Sequence, residues 1–144
     1  MKKSIFAAAA MLGALAMVAT GCAGGGAPGA GGNGGGSDLI TVGFAQTGSE
    51  SGWRAANTES MKKAFSEENG FKLTFNAADN KQEAQISAVR NFINQGVDAI
   101  VIAPITVDGW DDVLKEAKDA GIPVILEDRT VSASDDLYAS WVGL

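Results

Sequence analysis

The sequence predicts an α/β fold, a doubly wound parallel sheet, over residues 38–144. Three observations carry that expectation. Apolar, β-branched runs and helical-period segments alternate four times, strand first. The connections between them are short, so the crossovers are right-handed and the strands lie parallel. Finally, the first run is apolar on both faces, as suits a strand covered by helices on both sides.

Leu39-Ile-Thr-Val-Gly-Phe-Ala45 is the first strand. Trp53 to Glu68 reads as a helix, with small or apolar Ala56, Ser60, Ala64 and Phe65 facing inward and Lys62, Lys63, Glu67 and Glu68 outside. Asn69-Gly70 stops it. Phe71-Lys-Leu-Thr-Phe75 alternates as a strand near an edge would. Asn80, with Glu83 three positions on, has the spacing of a capping box. The helix it opens is expected to bury Ile86, Val89, Phe92 and Ile93 and to stop at Gly96. Asp98 to Pro104 is a central strand closed by proline. Trp110, Val113, Leu114 and Ala117 mark a short helix, with Asp108 placed to cap it and Gly121 to end it. Ile122-Pro-Val-Ile-Leu126 is the fourth strand. Val131 to Asp136 reads as polar loop, and Leu137 to Gly143 as a fifth strand, which makes the lobe incomplete at residue 144.

The start of the chain has a different character. Residues 1–21 pair Lys2 and Lys3 with an uncharged Ala/Leu/Met/Val stretch, the anatomy of an export signal and shorter than a stable membrane span needs. Small residues before the lone Cys22 resemble a lipobox, which implies a lipid on that cysteine; the plainer reading is a spare thiol in an ordinary leader. Residues 22–37 form that cysteine and a glycine-rich flexible tether. Gly29-Ala-Gly31-Gly-Asn-Gly34 matches a dinucleotide fingerprint by chance, since no strand precedes it and no helix follows. Losing Lys2 and Lys3 with the leader takes the formal charge from −6 to −8, the wrong sign for nucleic acid or anionic lipid. Without histidine, and without cysteine beyond Cys22, no metal site is expected.

Open α/β sheets bind ligands along the carboxyl ends of their strands. Two polar clusters fall there: Glu50, Ser51, Gly52, Trp53 and Arg54 after the first strand, and Asp128 with Arg129 after the fourth. Asp128 accepts hydrogen bonds from adjacent hydroxyls and Arg129 donates a fixed fork, a pairing that suits sugar diols. Neighbours in a strand point to opposite faces, so the chain is expected to break between these two residues if both reach one ligand. Trp53 offers a flat apolar face and an indole N–H. Each residue also has a plainer account: Trp53 as core, Glu50 as solvated loop, Asp128–Arg129 as a surface ion pair of little worth. Only their convergence on one rim favours a binding site.

At these residues the chain resembles the N-terminal lobe of type I periplasmic sugar-binding proteins, the ribose/galactose group that serves ABC importers. The resemblance is carried by Val42-Gly-Phe, Asn91 to Pro104, Glu116-Ala-Lys-Asp-Ala-Gly-Ile-Pro-Val124 and Asp128-Arg129. Gly48 to Arg54, Ala103-Pro104 and Gly109-Trp110 are most similar to the galactofuranose-binding branch, and Ala103 stands where ribose binders carry asparagine. The resemblance implies the strand order 2-1-3-4-5 and a monomeric, exported receptor, lipid-anchored at the cell envelope, that holds a monosaccharide between two lobes and docks on a membrane permease. It implies no cofactor and no catalysis. Glu50 to Arg54, Asp128 and Arg129 would line the first lobe's side of the cleft. A single lobe lacks the opposing contacts and is expected to bind sugar weakly or not at all.

Other readings are a sugar receptor for a signalling or chemotaxis protein, and a glycoside hydrolase using Glu50 and Asp128. The latter needs carboxyls about 5–9 Å apart. The sensor domain of a repressor would carry a DNA-binding helix-turn-helix where this chain carries an export signal.

Overall fold

A computed structural model of the chain describes residues 39–48 and 51–143. The leader of residues 1–21, Cys22 and the tether lie outside the described residues, and so does Glu50. The strands are β1 (Ile40–Gln46), β2 (Phe71–Ala77), β3 (Ala99–Ile102), β4 (Val124–Glu127) and β5 (Ser140–Val142). The helices are α1 (Gly52–Ala64), α2 (Gln82–Gln95) and α3 (Asp111–Asp119). All strand pairs are parallel, in the order β2-β1-β3-β4-β5. Val42 lies between Leu73 of β2 and Ala99 of β3, so β1 is interior although it comes first.

Alternation along the strands divides the core into two layers. Ile100, Ile102, Val124 and Leu126 pack with Val89 and Phe92 of α2, Val113 and Leu114 of α3, and Trp110. On the opposite face Val42, Phe44, Val101 and Ala103 meet Met61, Phe65 and the apolar side chains of β2. Each fully buried Leu, Val or Phe in these layers contributes about 1.5–3 kcal/mol. Among the described residues, two helices therefore cover one face and α1 the other. Trp110 is completely buried, and its indole N–H donates to the Thr106 carbonyl at 2.9 Å.

Helix ends follow the glycines. Gly70, Gly96 and Gly121 all adopt left-handed backbone, at φ 84°, 65° and 73°, which a side chain disfavours. The expected caps fail. Asn80 is itself left-handed at φ 60°, and its N–H donates to the Thr47 carbonyl, so Lys81 takes the cap position of α2 and no side chain caps it. Asp108 does not cap α3 either; its Oδ1 accepts from Ser132 Oγ at 2.8 Å.

Three expected elements also differ in extent. α1 ends at Ala64, and Glu67–Asn69 form a separate 3₁₀ turn. Its inward stripe is Arg54, Asn57, Thr58, Met61 and Phe65, while Ala56, Ser60 and Ala64 are exposed. The segment before β5 is not simply polar loop: Val131 and Ala133 are buried against α3's side of the core, and Asp135–Leu137 form a 3₁₀ turn. β5 itself is only Ser140–Val142.

At Gly43 sheet and helix approach closely. A Cβ built on it would lie 2.5 Å from Cγ and Cδ2 of Phe92, so only glycine lets α2 sit at this depth. Gly43→Ala is expected to destabilise the fold by about 1–3 kcal/mol. Urea unfolding would show it as a lower midpoint at unchanged slope. A wild-type midpoint would mean that the ring yields freely.

Candidate functional site

Where parallel strands end, backbone groups lose their ladder partners, and buried ones must find others. The four buried polar side chains among the described residues, Gln46, Thr47, Thr58 and Gln85, answer that need at one end of the sheet. Gln85 of α2 donates through Nε2 to the carbonyls of Ala45 (3.0 Å) and Ala103 (2.7 Å) and accepts the Ile105 N–H at 3.0 Å. Thr47 Oγ1 donates to the Ala103 carbonyl at 2.9 Å. Gln46 donates to the Gly48 carbonyl (2.7 Å) and Thr58 Oγ1 (2.9 Å). Its Oε1 accepts from Asn57 Nδ2 at 3.2 Å, and Asn57 Nδ2 also donates to Glu127 Oε2 at 3.2 Å.

Above this polar seam lies a hollow of about 230 Å³ lined by Trp53, Glu127, Asp128, Val142 and Gly143. Trp53, at the start of α1, is 55% exposed, so its indole is not spent on the core. Asp128 reaches the hollow through a sharp turn. β4 ends at Glu127, Asp128 is left-handed at φ 67°, and the Arg129 N–H donates back to the Glu127 carbonyl at 2.7 Å. The expected break is present, placed at Asp128 itself. Holding a non-glycine residue in such backbone costs about 1–3 kcal/mol. A recess of about 280 Å³ beside Ile122, Pro123 and Leu137 lies at the opposite end of β4. Tyr138 and Asp136 also line it, but Asp136 is held by Lys118 Nζ at 2.7 Å and the Tyr138 hydroxyl by Asp135, and the recess lies away from the carboxyl ends of the strands.

The structure thus brings Trp53 and Asp128 together. It treats the other expected residues differently. Ser51 is the N-cap of α1, its Oγ accepting the Arg54 N–H at 3.2 Å. Gly52 faces open space, with nothing within 4 Å of a Cβ built there. Arg54 is half-buried on the inward stripe of α1. Arg129 does not line the hollow; its Nη1 donates to the Ile105 carbonyl at 3.1 Å and its Nε stands 3.8 Å from Asp128 Oδ2.

Sequence reasoning passed over Glu127, Asn57 and Gln46. Gln46 looks like the frayed end of a strand, and Glu127 like one more residue of an apolar run. The available signal was the spacing of Asn57 and Thr58, three and four residues after Arg54, which puts all of them on one helical face.

Glu127 is the electrostatic anomaly. Burial pushes its carboxyl above the usual carboxylate range; the Asn57 hydrogen bond pulls down and the Asp128 charge pushes up. A raised carboxyl destabilises the fold once ionised, so the penalty is absent below the unfolded value of about pH 4.3 and grows as pH rises through the folded value. Glu127→Gln is therefore expected to melt a few degrees above wild type near neutral pH, with the gap closing toward about pH 4. Thermal melts across that range check it, and a gap that widened on acidification would reverse the sign of the argument.

Comparison with known proteins agrees with this architecture. The chain matches the periplasmic binding protein domain over residues 42–141. It is 55% identical over 104 residues to the galactofuranose-binding protein of Escherichia coli K12, covering 72% of this chain and 32% of that relative. A Mycobacterium smegmatis protein solved with β-D-fucofuranose aligns at TM-score 0.70 and 56% identity, covering 73% of this chain and 34% of that one. The binding component of the arabinose ABC transporter of Shewanella sp. ANA-3, solved with α- and β-L-arabinofuranose, aligns at TM-score 0.67 and 53% identity, covering 72% and 34%. The chain spans about a third of the length of these relatives. Its matched region runs through all five parallel strands, and the chain belongs to the periplasmic binding protein domain family.

Proposed function

We propose that this chain supplies the first lobe of the substrate-binding lipoprotein of a sugar ABC importer, which grips a monosaccharide of the galactofuranose type between two lobes. The observation that carries the reading is the exposed indole of Trp53 facing the same hollow as Asp128. An aromatic plane beside a carboxylate matches a furanose ring, which has an apolar C–H side and a hydroxyl-bearing edge. The relatives named above carry galactofuranose, β-D-fucofuranose and L-arabinofuranose in their descriptions, all five-membered rings.

In this reading Trp53 stacks on the ring and Asp128 accepts from neighbouring hydroxyls. Arg129 steadies Asp128 and donates to the sugar once the second lobe closes. Glu50, Ser51, Gly52 and Arg54 supply the remaining contacts of the first lobe, with Ser51 doubling as the helix cap. Cys22 carries the lipid that keeps the exported receptor at the envelope, and the tether gives it reach to a permease. The hollow is open to water on one side, so each polar contact here is weaker than in a closed cleft.

Titration of the isotopically labelled chain with methyl β-D-galactofuranoside, followed by NMR, tests the reading. The indole resonance of Trp53 and the amides of Asp128 and Arg129 are expected to shift together, saturating at millimolar sugar. The corresponding pyranoside should move them less, and Asp128→Asn should weaken the furanoside about tenfold. Shifts that avoid these residues, or none at high millimolar sugar, would sink it.

A further inference from the structure

We infer that Asn57 and Glu127 form a positioning pair that holds the indole-bearing start of α1 against the end of β4, and so sets the gap across which a ligand is gripped. Asn57 lies one helical turn after Trp53, on the inward stripe of α1. Its Nδ2 joins Gln46 Oε1 on β1 to Glu127 Oε2 on β4, at 3.2 Å each. β1 and β4 are not neighbours, because β3 runs between them. The link therefore crosses the face of the sheet and ties the helix to both sides of the rim.

The chemistry of Glu127 points the same way. Every other residue of β4 is apolar, and the carboxylate borders a second recess walled by Met61, Phe65, Val101, Ile125 and Val142. A leucine would satisfy the fold at this position. A partly desolvated carboxylate is costly by comparison, and groups of that kind gather where a site needs them. Residue 128, the next along, is the proposed ligand acceptor, so a shift of Glu127 moves Asp128 with it. As a positioning residue Glu127 acts through Asn57 and Asp128, and this inference rests on the reading of the hollow as the sugar site.

Three variants of the chain test the pair: Glu127→Leu, Glu127→Gln and Asn57→Ala. Glu127→Leu is expected to melt at or above the wild-type temperature yet bind methyl β-D-galactofuranoside about tenfold more weakly. Without sugar, the backbone order parameters of residues 53–57 should fall from about 0.85 toward about 0.6. Glu127→Gln keeps the acceptor and should retain both affinity and order. Asn57→Ala should match Glu127→Leu, and the double variant should be no worse than either, as expected of two residues acting as one unit. Wild-type affinity and order in Glu127→Leu would overturn the pair. So would a loss of melting temperature and affinity together in both Glu127 variants, since the residue would then merely hold the fold. If the wild-type chain ignores the furanoside, the sugar-site reading falls by itself, and the order parameters alone decide the pair.

Discussion

Two backbone carbonyls, those of Ala45 and Ala103, govern how this lobe is put together at its working end. They lie buried at the ends of β1 and β3, and the side-chain amide of Gln85 meets both while accepting the Ile105 N–H; the Ala45 carbonyl also accepts the Ala103 N–H at 3.0 Å, and the Ala103 carbonyl the Thr47 hydroxyl. A buried amide with all three of these bonds made is favourable, and the same amide with one bond missing would cost about 1–3 kcal/mol. The geometry of the rim is thereby set from below. Thr47 and Gln46 extend the seam toward α1, Gln46 reaching the Gly48 carbonyl and the Thr58 hydroxyl.

The contrast between the two ends of the sheet is chemical. In the middle the strands are packed by apolar side chains that specify depth and little else. At the rim nearly every contact is a directed hydrogen bond, which specifies angle. Asp128 in left-handed backbone and Glu127 short of water are both unfavourable taken alone. Strain and desolvation of this kind survive where the surrounding network over-determines the geometry, and here the network is the one that Gln46 and Asn57 complete.

Much of this was legible in the residues. β-branched runs separated by helical-period segments disclosed the parallel sheet, and the glycines at 70, 96 and 121 disclosed the helix ends, because both signals are local and strong. The caps expected at Asn80 and Asp108 do not form because each group has a tertiary alternative: the Asn80 N–H meets the Thr47 carbonyl and the Asp108 carboxylate meets Ser132. The inward face of α1 is legible only at Phe65 and not at Ala56, Ser60 or Ala64, since its stripe is half polar and apolar spacing does not reveal polar positions. Glu127 escaped notice for a related reason. Its significance comes from Asn57, a residue 70 positions earlier in the chain, and no short window contains both.

The strand order has a consequence for how the lobe comes into being. After β1 and β2 have paired, β3 docks on the free side of β1, β4 on β3 and β5 on β4, so each arriving segment finds its seat already made by one that preceded it. Growth thus proceeds at a single advancing margin, while the opposite margin is closed early by β2, whose Lys72 and Asn76 are exposed. A polypeptide that emerges amino end first can add these five strands in the order in which they appear.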